Sequence, residues 1–211
     1  MKASETRFDA VIFDMDGVLI DARNWHFEAL NEALSLFGEQ ISVDEHLERF
    51  DGLPTRIKLE MLTNEGRLPA HVHRIVSQVK QERTLRIASQ QNKPDLQHLI
   101  LIGWLRSRGV KVAVATNSIR LTTQQMLQSA SLLKEMSAVV TNEDVLSPKP
   151  APDVYLECAR IMSVDPKRCL VVEDNEAGVA AANNAGMEVI RVEGPSMVSL
   201  NLVRDYFEVG V

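Results

Sequence analysis

The stretch Val11-Ile12-Phe13-Asp14-Met15-Asp16-Gly17-Val18-Leu19 is the most informative segment of this chain. An apolar run typical of a buried β-strand ends in two carboxylates, Asp14 and Asp16, followed by glycine. On an extended chain, side chains at positions i and i+2 lie on the same face. Two negative charges beside an apolar core are costly unless a group neutralises them. A hard divalent cation is the usual partner of such carboxylates.

These two carboxylates allow more than one interpretation. One carboxylate can attack phosphorus and form an aspartyl-phosphate, while its neighbour moves the proton. A turn of the Asp-x-Asp-Gly type without any chemistry, or a fragment of a calcium loop, explains the same residues. The spacing leaves these alternatives open and does not say which acid would be the nucleophile.

Size and composition narrow the class of protein. The chain has 211 residues, 45% hydrophobic and 25% charged, which predicts a soluble globular protein with one ordinary domain and a small second one. The net charge of −6 argues against nucleic acid or an anionic membrane as the main partner, although a pocket with a metal and lysines can still bind a small anion. No apolar stretch is long enough for a membrane span, and residues 1–7 lack the apolar region of a signal peptide, so we expect a cytoplasmic protein. We also expect a monomer or a weak dimer. Cys158 and Cys169 lack metal-ligand spacing, and we expect them to be buried, reduced thiols.

Five apolar segments of strand length alternate with helical patterns. The first precedes Asp14, and the others cover residues 110–115, 138–141, 169–172 and 188–192. Between them, apolar residues recur at helical spacing, and one helix presents a small-residue face that can approach a sheet closely. This order predicts an α/β fold with a doubly wound parallel sheet and right-handed crossovers.

Residues 20–91 break the alternation, because they contain helical patterns and no convincing strand. Amphipathic spacing is evident over residues 27–37, 57–62 and 72–79, and Ser42 to Glu45 have the spacing of a capping box. An all-helical insertion after the first strand is best interpreted as a cap. We therefore predict a cap domain over residues 20–91 and a core made of residues 1–19 and 92–211.

Three further motifs follow predicted strands, where ligands bind in open α/β sheets. Thr116-Asn117-Ser118 offers a hydroxyl and backbone N–H groups to phosphate oxygens, although the same residues are ordinary helix N-caps. Lys149 lies between two prolines; a fixed positive charge suits a transferring phosphoryl group, and a solvated surface lysine is the alternative. Glu173 and Asp174 end the fourth strand, where acids also favour a helix N-terminus.

Together and in this order, the motifs resemble those of the haloacid dehalogenase-like (HAD) hydrolase superfamily, and more narrowly its phosphatases and β-phosphoglucomutase-like members. The matching segments are Asp14-Met15-Asp16-Gly17-Val18-Leu19, Thr116-Asn117-Ser118, Lys149-Pro150-Ala151-Pro152-Asp153, and Glu173-Asp174 followed by Gly178 and Ala181-Ala182. The resemblance covers nearly the whole chain. It implies a Rossmann-like core with a small helical cap inserted after the first strand.

The resemblance also implies a mechanism. Asp14 would attack the phosphoryl group, and Asp16 would protonate the leaving oxygen and then activate water. The implied cofactor is Mg²⁺. The side chains of Asp14 and Asp174 would hold it together with the backbone carbonyl of Asp16, and Glu173 would be a nearby acid. The presence of Asp16 favours phosphoryl chemistry over cleavage of carbon–halogen bonds.

Two groups of residues are implied to bind the substrate. Thr116, the backbone of Asn117 and Lys149 would contact phosphate oxygens. In the cap, His26 and Arg56 are candidates for reading the rest of the substrate, as a mobile cap closes over the site and excludes water. His26 aligns with a histidine that phosphomutase-like members share, and an exposed histidine on an amphipathic helix is the alternative.

Three more cap residues are weaker candidates. Trp25 is equally compatible with the cap core. Lys58 and Lys80 are expected to be solvated charges.

The expected function is Mg²⁺-dependent hydrolysis of a small phosphorylated metabolite through an aspartyl-phosphate. A β-phosphoglucomutase-like sugar-phosphate mutase is one alternative, because it would use the same intermediate. A non-catalytic module that binds a phosphorylated ligand is the other.

Overall fold

The computed structural model describes residues 7–208 of the chain. The described residues divide into two compact units, one formed by residues 7–21 together with 93–208 and the other by residues 22–92. The first unit contains the sheet, and the second is all-helical. Within residues 7–208, no helix combines the length and apolar character that a membrane span requires.

The sheet of the first unit has five strands in the order β3-β2-β1-β4-β5, and all of its pairings are parallel. The strands are β1 (Ala10–Phe13), β2 (Lys111–Ala115), β3 (Ala138–Val140), β4 (Cys169–Glu173) and β5 (Glu188–Arg191). The predicted parallel α/β fold is confirmed, and each predicted strand is present with ends that differ by a residue or two.

Nine α-helices complete the described part of the chain. They are α1 (Arg23–Ser35), α2 (Val43–Glu45), α3 (Thr55–Asn64), α4 (His73–Gln91), α5 (Leu96–Ser107), α6 (Arg120–Ser129), α7 (Asp153–Met162), α8 (Glu176–Asn184) and α9 (Leu200–Glu208). A π-helical turn, His46–Phe50, continues α2.

Both faces of the sheet are buried. On one face, strand residues such as Ile12, Ala113 and Val171 cluster with the apolar side of α7 and with the alanine face of α8. The alternate residues Phe13 and Val114 point to the other face and are also fully buried. Burial on both faces explains why the strands are continuous apolar runs in the sequence.

Strand register brings the carboxyl ends of the three central strands together. Phe13 at the end of β1 pairs with Val114 of β2 on one side and with Val172 of β4 on the other. The backbone N–H of Asp14 donates to the carbonyl of Val172 at 2.9 Å, which extends the pairing by one residue. The residues that follow β1, β2 and β4 therefore lie at one edge of the sheet.

The second unit has its own apolar core. Its long helices α1 and α4 pack against each other, and α3 packs against α4. Leu30, Leu34, Phe50, Leu59 and Leu62 are among the fully buried residues of this core. The predicted capping box is partly present, since the hydroxyl of Ser42 accepts a hydrogen bond from the Glu45 N–H at 3.1 Å.

The two cysteines lie in the sheet unit, where both are buried and neither forms a disulfide. Burial raises the pKa of the Cys169 thiol to about 12 and that of Cys158 further. Both thiols are therefore protonated at neutral pH and poor nucleophiles.

Candidate active site

Four of the motif residues surround one point at the carboxyl edge of the sheet. Asp14 follows β1, Thr116 follows β2, and Asp174 follows β4. All three side chains are buried, with Asp14 only 4% exposed. Glu173, the last residue of β4, lies beside them and is fully buried. This is the arrangement expected for parallel strands that end in polar residues.

Lys149 reaches this edge from the loop between β3 and α7. Its Nζ donates to Asp14 Oδ1 at 2.5 Å and to Glu173 Oε2 at 2.8 Å, and the side chain is nearly inaccessible to solvent. Burial by itself would lower the pKa of Lys149, but the two carboxylates hold it well above its usual value. The alternative of a solvated surface lysine is therefore wrong.

The side chain of Asn117 fixes the backbone of Lys149. Its Oδ1 accepts the Lys149 N–H at 3.0 Å, and its Nδ2 donates to the Lys149 carbonyl at 3.3 Å. Only the backbone of Asn117 was predicted to take part in the site, and its side-chain contact with Lys149 was not predicted. The helix-cap alternative for this motif does not apply, since α6 begins at Arg120 with Ile119 before it.

Asp16 is half-buried and is held by the motif that follows β2. Ser118 Oγ donates to Asp16 Oδ2 at 2.6 Å, and Thr116 Oγ1 lies 3.5 Å from the same oxygen. Gly17 adopts a φ of 95°, a left-handed conformation that glycine adopts readily, as the chain turns after Asp16. Ser118 belongs to the predicted motif, but its hydrogen bond to Asp16 was not predicted from the sequence.

Glu173 uses both of its oxygens within the protein. Oε2 accepts hydrogen bonds from Lys149 and from the Tyr155 hydroxyl, while Oε1 accepts from the backbone N–H groups of Asp174 and Asn175. Burial by itself would raise its pKa, but Lys149 and the other donors hold the pKa below its usual range. Its carboxylate is therefore charged and fixed in place.

Gly178 explains how the chain makes room for that carboxylate. A Cβ at position 178 would overlap the Cδ and both oxygens of Glu173. Asn175 rather than an acid caps α8, because its Oδ1 accepts the Gly178 N–H at 3.0 Å. The capping alternative for Glu173 and Asp174 therefore does not apply.

The charge and chemistry of the cluster fit a hard divalent cation. Asp14, Glu173 and Asp174 each place a carboxylate oxygen within 4.8 Å of the others, and all three are buried. When all three carboxylates are ionised, the single ammonium of Lys149 leaves two negative charges in excess. Burial, and then the charge of Glu173, raise the pKa of Asp14 well above its usual value. Oxygen ligands with excess negative charge are what Mg²⁺ prefers.

The predicted substrate-reading residues lie in the helical unit. Lys80 Nζ lies 3.0 Å from His26 Nδ1. Arg56 is exposed and pairs with Glu60, four residues further along α3, at 2.7 Å. Contact of His26 and Arg56 with a substrate stays a prediction.

Two of the weaker cap candidates, Lys58 and Trp25, are buried. Lys58 was expected to be a solvated charge, and this is wrong, since it is only 8% exposed within α3. Trp25 is buried and donates through Nε1 to Gln91 Oε1 at 2.9 Å, which ties α1 to the end of α4. Trp25 is therefore a buried residue with a structural contact inside the helical unit.

Comparison with known proteins gives the same family as the motifs. The sequence pattern of the family described as haloacid dehalogenase-like hydrolase matches residues 11–192. The chain is 31% identical over 182 residues to the phosphorylated carbohydrates phosphatase of Thermotoga maritima, covering 86% of this chain and 83% of the relative. It is 32% identical over 190 residues to the fructose-1-phosphate phosphatase YqaB of Escherichia coli, covering 88% of this chain and 97% of the relative.

The fold also matches solved structures. The crystal structure of a beta-phosphoglucomutase from Clostridium difficile superposes with a TM-score of 0.82, covering 95% of this chain and 97% of that chain. The sequence identity in this comparison is 18%, so it supports the fold alone.

Proposed function

The chain belongs to the haloacid dehalogenase-like hydrolase family, and from this premise we propose that it is a Mg²⁺-dependent phosphatase that hydrolyses a phosphate monoester of a small metabolite through an aspartyl-phosphate. One observation carries the proposal. Asp14 lies buried against the ammonium of Lys149, while Asp16, two residues later, is held by the hydroxyl of Ser118. These contacts support the proposed roles of Asp14 as nucleophile, Lys149 as the cation for phosphate oxygens and Asp16 as the proton carrier.

Asp14, Asp174 and the backbone carbonyl of Asp16 would hold the magnesium ion. When bound, the ion supplies positive charge that polarises the phosphoryl group and offsets the excess negative charge of the buried carboxylates.

The first half of the proposed reaction transfers the phosphoryl group to the protein. A carboxylate oxygen of Asp14 attacks phosphorus, a new P–O bond forms, and the P–O bond to the substrate breaks. Asp16 gives its proton to the leaving alkoxide, so that an alcohol departs. Thr116, Asn117 and Lys149 are proposed to bind the non-bridging oxygens, where Lys149 offsets the negative charge.

The second half returns Asp14 to its starting state. Asp16, now a carboxylate, takes a proton from water, and the resulting hydroxide attacks phosphorus. The bond between phosphorus and the Asp14 oxygen breaks, and inorganic phosphate leaves. Ser118 is well placed for both halves, since its hydrogen bond keeps the Asp16 carboxylate in one orientation.

A phosphorylated sugar is the proposed substrate class. Support comes from the printed functions of the relatives, a phosphatase of phosphorylated carbohydrates and a fructose-1-phosphate phosphatase. Lys149, a buried cation at this edge, is the proposed counter-charge for one monoester phosphate.

A sugar-phosphate mutase is the second candidate, and one observation favours it. His26, which the resemblance matches to a histidine of phosphomutase-like members, lies within hydrogen-bond distance of Lys80 in the helical unit. A mutase would use the same aspartyl-phosphate but return the phosphoryl group to a sugar hydroxyl instead of water.

The cytoplasm is the proposed location. Two buried thiols without a disulfide fit a reducing compartment.

A panel of phosphate esters tests the proposed function directly. It should contain an aryl phosphate and sugar monophosphates, each assayed for inorganic phosphate with Mg²⁺ and with a chelator. The expected result is Mg²⁺-dependent phosphate release that Asp14→Asn reduces by at least about a thousandfold, because the nucleophile is lost. Asp9→Asn is the matched control, since Asp9 lies before β1 and forms an exposed pair with Arg168.

The panel also separates the candidates. Interconversion of sugar monophosphates after priming with a bisphosphate, with little net phosphate, would identify a mutase. Absence of any turnover across the panel at saturating Mg²⁺ would contradict both enzymatic candidates and leave the phospho-ligand binding module.

A further inference from the structure

Tyr155 is a buried residue of the sheet unit that the mechanism above does not use. It lies on α7, is fully inaccessible to solvent, and packs among apolar residues of the sheet and of α7. Its hydroxyl donates to Glu173 Oε2 at 2.6 Å. Its ring centroid lies 4.8 Å from Lys149 Nζ. Tyr155 thus contacts both the cation of the phosphate site and the carboxylate that holds it.

The hydrogen bonds of Glu173 define what this carboxylate does. A carboxylate offers about four acceptor positions. Within the protein, Glu173 already receives four donors: Lys149 at 2.8 Å, Tyr155 at 2.6 Å, and the backbone N–H groups of Asp174 and Asn175 at 3.1 and 3.3 Å. Accepting a metal as well would require one of these donors to be displaced.

We propose that Tyr155 is a positioning residue that acts through Glu173 on Lys149, and that Glu173 fixes this lysine and the Asp174 backbone rather than ligating the metal. This inference rests on the proposed function, because it assigns to Lys149 a role toward phosphate. The hydroxyl of Tyr155 keeps Oε2 of Glu173 directed at Lys149. The lysine ammonium is then held between Asp14 and Glu173 before any substrate binds.

A purely structural role would not need the hydroxyl. Phenylalanine fills nearly the same volume and would suit an apolar cluster better, since a buried hydroxyl is costly without a partner. The hydroxyl of Tyr155 has its partner in a carboxylate next to the reacting groups. The polar atom rather than the ring therefore carries the function.

The first test compares Tyr155→Phe with Tyr206→Phe in the full chain. Tyr206 is the other tyrosine of the sequence and lies half-buried on α9, away from the motif residues. With an aryl phosphate and Mg²⁺, Tyr155→Phe should lower kcat roughly tenfold, the scale of one hydrogen bond to a charged group, and change KM less than about twofold. The Mg²⁺ concentration for half activation should stay unchanged, and Tyr206→Phe should behave like the wild type.

A double-mutant cycle tests whether Tyr155 acts through Glu173. In a Glu173→Met background the acceptor is gone, so adding Tyr155→Phe should lower kcat no further. Glu173→Leu, which likewise has no acceptor, is the second background if the Met variant is poorly folded. Additive losses, or an unchanged kcat in Tyr155→Phe itself, would overturn the proposal. So would a large rise in the Mg²⁺ requirement of Glu173→Gln, because it would make Glu173 a metal ligand.

A binding measurement keeps this inference separate from the proposed function. Orthovanadate binding with Mg²⁺, followed by calorimetry, reports on the phosphate site without turnover. Tyr155→Phe should weaken it several-fold, and the same non-additivity should appear in the cycle. If the wild type turns over no ester, the proposed function fails, while the vanadate cycle still supports or overturns the role of Tyr155.

Discussion

At the residue scale, the central feature is a lysine held between two buried carboxylates. Lys149 contacts Asp14 and Glu173 at hydrogen-bond distance, and all three side chains are shielded from solvent. A buried ion pair is often no more stabilising than apolar residues of equal volume, but removing one partner leaves an uncompensated charge. The cluster is therefore maintained for its chemistry, and its members depend on one another.

Lys149→Met tests this dependence. The substitution should abolish turnover, because the cation for phosphate is lost, and should lower the free energy of unfolding by about 3–5 kcal/mol, because Asp14 and Glu173 lose their counter-charge. Lys167→Met is the matched control, since Lys167 is exposed in a short turn before β4. Urea denaturation and phosphate release measure the two effects. Equal stability of the two variants would show that the buried lysine does not neutralise the cluster.

The sequence predicts some of these residues and not others, for a physical reason. Acids and hydroxyls that directly follow strands are placed by the sheet itself, so Asp14, Thr116 and Asp174 could be predicted to meet. Side-chain contacts across loops and helices are set by tertiary packing. Periodicity and spacing therefore yielded no prediction for the contacts of Ser118 and Tyr155, and the expectation for Lys58 was wrong.

At the element scale, α8 must approach the end of β4 without touching the Glu173 carboxylate. Gly178, in the first turn of α8, provides this space. Glycine inside a helix normally costs stability relative to alanine. Glycine is nevertheless required here, because a methyl group at position 178 would overlap the Glu173 carboxylate.

Gly178→Ala and Gly103→Ala should therefore act in opposite directions. A methyl group at position 178 displaces Glu173, so we expect a loss of about 1–3 kcal/mol in unfolding free energy and a lower kcat. Gly103 lies exposed in α5, where an added methyl group would meet no neighbouring element of residues 7–208 within 4 Å, and alanine there should stabilise by up to about 1 kcal/mol. Thermal denaturation of both variants is sufficient, and stabilisation by Gly178→Ala would contradict the packing described.

Elements differ in how well their sequence predicts them. Strands β1 and β4 are buried along their whole length, so their apolar residues form continuous runs that are easily identified. A helix start was predicted after Ser118, but α6 itself shows only a weak apolar pattern, because two of its four buried residues are Thr122 and Thr123. The π-helical turn after α2 was not predicted; its last residue, Phe50, is buried in the core of the helical unit.

At the scale of the whole molecule, strand order determines the site. The order with β1 between β2 and β4 makes the motifs at positions 14, 116 and 174 neighbours at the carboxyl edge of the parallel sheet. Right-handed crossovers, which the alternation of strands and helices predicts, are compatible with more than one strand order, so the order is known only from the folded chain. The helical unit has a second apolar core. A buried histidine of this unit makes the free energy of unfolding depend on pH.

His46 makes that dependence testable. It is buried in the helical unit, and its Nδ1 has no hydrogen-bond partner within residues 7–208. Burial, and then the nearby charge of Lys58, lower the pKa of His46 from 6.5 to about 4. Between these two values the unfolded chain binds a proton that the folded chain does not. The contribution of neutral His46 to the free energy of unfolding is therefore complete above pH 6.5. It is lost as the pH falls toward 4, by up to about 3 kcal/mol.

Urea denaturation across this pH range measures the effect. His46→Gln should flatten the dependence of unfolding free energy on pH between 6.5 and 4. His71→Gln is the control, because His71 is exposed in a short turn of the same unit and should keep the wild-type slope. Identical slopes for the wild type and His46→Gln would contradict the burial of a neutral imidazole.

Detection of the phosphorylated protein tests the central claim most directly. In Asp16→Asn, an aryl phosphate needs little help from an acid, so attack by Asp14 continues while activation of water is lost. After an acid quench and trypsin digestion, mass spectrometry should find one phosphoryl group on Asp14 in the peptide of residues 8–23, with an initial burst of one aryl alcohol per chain. Continued release of the alcohol with an unmodified Asp14, or phosphorylation of a different residue, would contradict the account.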